Sequence, residues 1–85
     1  MFTIGFLSHH SNHLILKNIE KIINYNLNVS IIVVENSLDL SLKKILETKY
    51  GSLVKVYIPK ENLGWGGGLN KVLELSEDNF VFLNP

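Results

Sequence analysis

Short apolar runs, rich in β-branched residues, alternate along the chain with stretches of helical period, and this alternation restricts the fold more than any other feature. Residues 2–7 (FTIGFL) and 29–34 (VSIIVV) carry little polar interruption, the pattern of strands buried on both faces of a parallel sheet. Between them Leu14, Ile15, Ile19, Ile22, Ile23 and Leu27 recur at steps of three and four, which predicts an amphipathic helix with Ser11 or Asn12 as its N-cap. Leu40, Leu42, Ile45 and Leu46 predict a second helix that ends near Tyr50, with Gly51 closing it. Residues 53–58 read as a third strand stopped by Pro59, residues 60–68 as a glycine-rich segment, residues 69–76 as a short helix and residues 80–83 as a fourth strand. The order β-α-β-α-β-α-β implies a Rossmann-like parallel sheet with helices on both faces, a three-layer α/β/α arrangement.

Composition narrows the function classes. Eighty-five residues leave room for one domain, and at this size folding buries only roughly 60% of the unfolded chain's surface, so the core is marginal unless something else covers it. Eight basic residues balance eight acidic ones, against the basic surplus of a nucleic-acid binder or a polybasic membrane anchor. All eight basic residues are Lys, so an anion site would have to use backbone N–H groups, Lys or a metal. The absence of Cys excludes disulfides, thiolate zinc sites and a Cys nucleophile. No secretory signal and no apolar stretch of spanning length is present, which points to a soluble, cytoplasmic chain.

Ligands of such sheets bind outside the carboxyl ends of the strands, here Ser8 to Asn12, Glu35 to Asp39, Glu61 to Gly68, and Asn84 with Pro85. The stretch Asn62-Leu63-Gly64-Trp65-Gly66-Gly67-Gly68-Leu69-Asn70 is the most distinctive. Glycines between a strand and a helix admit a close ligand and free N–H groups, or else serve only a tight turn and close packing. The stretch matches neither the dinucleotide fingerprint nor the P-loop. Glu35, after the second strand, is either an acceptor for a ribose hydroxyl or base N–H, or a solvated carboxylate before a helix capped by Ser37 or Asp39. His9 and His13 could share one helical face, but with His10 they give only a weak metal-site spacing, have no Glu or Asp nearby and straddle the loop and helix cap. They read as loop residues or as the lining of a cleft.

Taken in order, these stretches resemble the N-terminal, donor-binding half of family 2 glycosyltransferases of GT-A fold, especially the rhamnosyltransferase-like branch that builds bacterial surface polysaccharides. Ser8-His9-His10 resembles the family's T-Y-N-like triplet, and Val34-Glu35-Asn36-Ser37-Leu38-Asp39 its V-D-N-x-S-x-D turn with one residue fewer. Asn62 to Asn70 is similar to its N-x-G-(F/W)-(A/G)-G-G-x-N loop, and Leu83-Asn84-Pro85 to its L-N-P-D strand ending. The resemblance implies a nucleotide-diphospho-sugar site: Ser8 and Glu35 at base and ribose, with His9 and His10 alongside. Asn36, Asn62, Gly64, Trp65 and Gly67 would shape the nucleoside pocket. Asn84 would stand at the first position of the D-x-D motif, whose third-position aspartate holds Mg²⁺ or Mn²⁺ against the diphosphate in the family.

The chain departs from the pattern at His10, where the family has Asn, at Glu35, where Asp is commoner, and in the shortened turn. It ends one residue before the metal-ligating aspartate and without the acceptor half that carries the catalytic base. Residues 1–85 are thus expected to be one partial domain, which holds no metal itself and is inactive alone. The full protein would transfer a sugar to a saccharide or lipid-linked acceptor, in the cytoplasm or at the inner face of the membrane. Two other readings stand beside it. One is a stand-alone, non-catalytic nucleotide-binding module. The other is a ligand-free interaction domain that self-associates through the apolar edge of its last strand.

Overall fold

The computed structural model describes residues 2–25, 29–75 and 80–83. Strand β1 (Phe2–Ser8) leads through α1 (Asn12–Asn24) to β2 (Val29–Glu35), and α2 (Leu40–Tyr50) leads through a 3₁₀ turn at Gly51–Leu53 to β3 (Val54–Tyr57). Helix α3 (Gly64–Leu75) and strand β4 (Phe80–Leu83) complete the order. The four strands lie in the order β3-β2-β1-β4 and every neighbouring pair is parallel. This is a Rossmann-like α/β fold.

The first two crossovers step outward from β1 to β2 to β3, and the third returns across the sheet to β4. With connections of one hand, such a reversal moves the helix to the opposite face. Accordingly Ile15 and Ile19 of α1 and Leu42 and Leu46 of α2 join Ile4, Phe6, Ile31, Val33, Val54 and Val56 in one core. Val72 of α3 packs instead with Leu7 and Val34 on the other side. Alternation along β1 sends Ile4 and Phe6 one way and Gly5 and Leu7 the other.

Local chemistry sets most of the boundaries. The Asp39 side chain accepts from the Ser41 N–H at 2.9 Å and opens α2 as its N-cap. Gly51 closes the helix at φ 58°, a conformation that suits glycine. Ser11 is the N-cap of α1, where its carbonyl accepts from the Ile15 N–H at 3.0 Å while its side chain makes no cap bond. Glu47 reaches from α2 to the Val56 N–H at 3.4 Å and covers a donor on the outer edge of β3.

Two sequence expectations need correction. The third strand starts at Val54, because residues 51–53 form the 3₁₀ turn that carries the chain from α2 into the sheet. The third helix starts at Gly64 rather than at residue 69, so Gly64 to Gly68 of the glycine-rich segment form the first turns of α3. Low helix propensity is overridden there by docking: a Cβ on Gly68 would collide with Leu7 and crowd the Asn36 amide. Among the described residues no helix is long and apolar enough to cross a membrane.

Candidate functional site

Strands β1 and β2 end in register, Ser8 opposite Glu35, and both residues are fully buried. The Asn36 N–H donates to the Ser8 carbonyl at 2.7 Å and extends the pairing by one residue. Beyond that point the loops diverge, and side chains hold them together.

Glu35 is 0% exposed. Its two carboxylate oxygens stand 2.7 and 2.6 Å from the Ser37 hydroxyl, and Oε2 accepts from the Asp39 N–H at 2.8 Å. The Ser37 Oγ in turn accepts from the His10 N–H at 3.3 Å, so one relay joins the loop after β2 to the loop after β1. Asp39 caps the following helix as one sequence reading had it, but Glu35 itself fits neither reading. It is not solvated, and it is not open to a ribose hydroxyl. Burying a carboxylate without partners costs several kcal/mol, and the turn offsets that cost with donors drawn from the next four residues.

The relay sits between two left-handed residues, His10 at φ 55° and Leu38 at φ 63°. For side chains such as these the conformation costs roughly 1–2 kcal/mol each. Both side chains are nevertheless exposed, Leu38 by 42%.

Asn36, which the resemblance places in the pocket wall, is 3% exposed and acts as a clamp. Its Nδ2 donates to the Gly64 carbonyl at 3.0 Å and its Oδ1 accepts from the Leu63 N–H at 3.2 Å. The end of β2 is thereby fastened to the start of α3. Asn62 supplies the remaining tie. Its Oδ1 accepts from the Gly64 N–H at 2.7 Å, which leaves Nδ2 facing His9 Nδ1 at 3.4 Å. The His9 N–H donates to Ser11 Oγ at 3.3 Å, and Ser8 Oγ lies 3.5 Å from the same hydroxyl. Three strand-end loops, 53 residues apart at the His9–Asn62 contact, thus form one laced unit.

The exposed rim of that unit consists of His9, His10, Asn62, Gly64, Trp65 and Gly66. The His9 and His10 rings meet edge to face at 4.5 Å, and Trp65 is 58% exposed. The glycines divide their work. Gly68 serves packing, Gly67 lies against Leu63, and Gly66 faces open space. No acidic residue stands in the first turn of α3.

The structure therefore brings together Ser8, His9, His10, Glu35, Asn36, Asn62 and Gly64, with Ser8, Glu35 and Asn36 inside and the others on the rim. Asn84 lies outside the described residues, as does the position from which the cation was expected to be held. His13 is exposed on α1, and among the described residues no three His, Asp or Glu side chains come together. Sequence reasoning placed Ser37 and Leu38 in the turn at the site without assigning Ser37 to the Glu35 carboxylate or Leu38 to a left-handed position. The signal was the Glu35-x-Ser37-x-Asp39 spacing, which lets a hydroxyl and a backbone N–H fold back onto one carboxylate. A surface depression of ≈ 310 Å³ lined by Lys21, Asn24 and Tyr25 belongs to the end of α1, at the opposite edge of the sheet. Comparison of the chain with family models, with curated proteins and with solved structures found no match.

Proposed function

We propose that this chain is the nucleotide-sugar-binding portion of a glycosyltransferase that passes a sugar from a nucleotide diphosphate to a saccharide or lipid-linked acceptor. One observation carries the reading. The loops after β1, β2 and β3 are tied into a single surface that exposes two imidazoles, an indole and an amide beside the N-terminus of α3. Flat rings suit a nucleobase, the Asn62 amide suits base or ribose, and the positive end of the α3 dipole suits a phosphate in a chain without arginine. The motif resemblance at residues 8–10, 34–39 and 62–70 supports the same class.

Within this reading Ser8, Glu35 and Asn36 hold the pocket's shape from inside, and His9, His10, Asn62, Gly64 and Trp65 meet the donor. The divalent cation and the acceptor belong to the resemblance alone, and no step is assigned to them. A cytoplasmic or membrane-peripheral location goes with this function.

The test is an NMR titration of the ¹⁵N-labelled chain with UDP-, dTDP- and GDP-glucose, each with and without Mg²⁺. Shifts confined to residues 8–10, 35–38 and 62–68 for one nucleotide are expected, and they would identify the base. A well-dispersed spectrum that none of the three perturbs would overturn the reading.

A further inference from the structure

We infer that Glu35, acting through Ser37, is a positioning residue that holds His10 and Leu38 in left-handed backbone so that their side chains grip the nucleobase from one side. This rests on the donor reading above and names the part of the pocket that selects the base.

The geometry starts from a mismatch at Leu38. A left-handed position favours glycine or asparagine, and an exposed position favours a polar side chain. Leu38 is neither, at φ 63° and 42% exposed. Among the described residues, neither hydrophobic cluster includes Leu38. Backbone strain that persists in a fold is a mark of a group held in place for a function.

What holds it is the Glu35 relay. The carboxylate takes the Ser37 hydroxyl and the Asp39 N–H, so both neighbours of Leu38 are fixed and the residue between them must turn outward. The same Ser37 oxygen takes the His10 N–H, and His10 is left-handed at φ 55° with its ring exposed. One buried carboxylate therefore sets the backbone of two residues whose side chains are exposed. An isobutyl group and an imidazole give an apolar edge and a π face, a combination that recognises a flat heteroaromatic base by contact rather than by a carboxylate hydrogen bond.

Two variants of the full chain separate contact from positioning. Leu38→Asn keeps the left-handed backbone and removes the apolar group. It is expected to raise Tm by about 4 °C and to weaken the nucleotide sugar found by titration about fivefold. Ser37→Ala cuts the relay. The HN–Hα couplings of residues 10 and 38 should then lose their left-handed values, Tm should fall, and affinity should drop by at least as much as in Leu38→Asn. The double variant should bind no more weakly than Ser37→Ala alone, because the second change removes a contact already lost. Affinity within twofold of wild type in Leu38→Asn, or unchanged couplings in Ser37→Ala, would overturn the inference while leaving the donor reading intact. A wild-type chain that binds none of the three nucleotide sugars overturns both.

Discussion

On one face of the sheet Phe6, Ile31, Val33, Val54 and Val56 meet Ile15, Ile19, Leu42 and Leu46 from two helices. On the other, Leu7 and Val34 meet Val72 from one, and glycines bring the backbones together. Gly5 has no room for a Cβ against Val72, and Gly68 none against Leu7. The first face buries large aliphatic side chains and carries most of the hydrophobic stabilisation. The second gives up side-chain volume so that α3 lies close enough for Asn36 to reach Leu63 and Gly64. A core tolerates modest shifts of its helices, whereas two hydrogen bonds of about 3 Å do not. Stability and site geometry are therefore assigned to opposite faces.

Truncation on the first face has the largest expected effect. Phe6→Ala should cost about 3–5 kcal/mol, a large part of the roughly 4–13 kcal/mol expected of 85 residues, and chemical denaturation should show a chain with little cooperative structure left. Overpacking on the second face comes next. Gly5→Ala should cost about 2 kcal/mol, because Val72 is β-branched and buried and cannot swing aside. Combining it with Val72→Ala should make the pair less destabilising than the sum of the single changes, and additive costs in that double-mutant cycle would show that α3 does not pack through Gly5.

The helix ends repeat the contrast at smaller scale. Asp39→Ala should lower stability by about 1 kcal/mol through loss of the α2 cap, measured as a shift of the denaturation midpoint at constant slope. On α3 the Lys71 ammonium lies 3.2 Å from Glu74 and 4.8 Å above the Tyr57 ring. The Glu74 hydrogen bond holds it above the ordinary lysine value. Its protonated form is thus favoured in the fold, so the contribution is complete at neutral pH and disappears as pH rises past the lysine range. Exposed pairs contribute little. Glu74→Gln should leave the neutral-pH stability almost unchanged and flatten the alkaline limb of the stability curve, and a large loss at pH 7 would contradict that ranking.

Much of the architecture is legible before any coordinates. The apolar runs at β1 and β2 identify a buried parallel sheet, the three-and-four spacing from Leu14 identifies α1, and Asp39 and Gly51 mark the ends of α2 by capping chemistry. The glycine segment misleads, because propensity alone makes Gly64 to Gly68 a loop, and only the closeness of Leu7 and Asn36 explains a helix there. The site divides in the same way. Its loops follow from topology, since the carboxyl ends of parallel strands must share one edge.

The inside and outside of that edge do not follow. Glu35 and Asn36 read as pocket residues, and both face inward. Their roles depend on the pairing of Ser8 with Glu35 and on a contact between His9 and Asn62 across 53 residues. Period and capping are properties of neighbours along the chain, so the sequence by itself determined the elements, their order and the edge where they converge. Which polar groups are spent on one another and which remain for a ligand depends on register and docking distance. Those arise only when remote segments close on the same few ångströms, and the tertiary structure alone decided them.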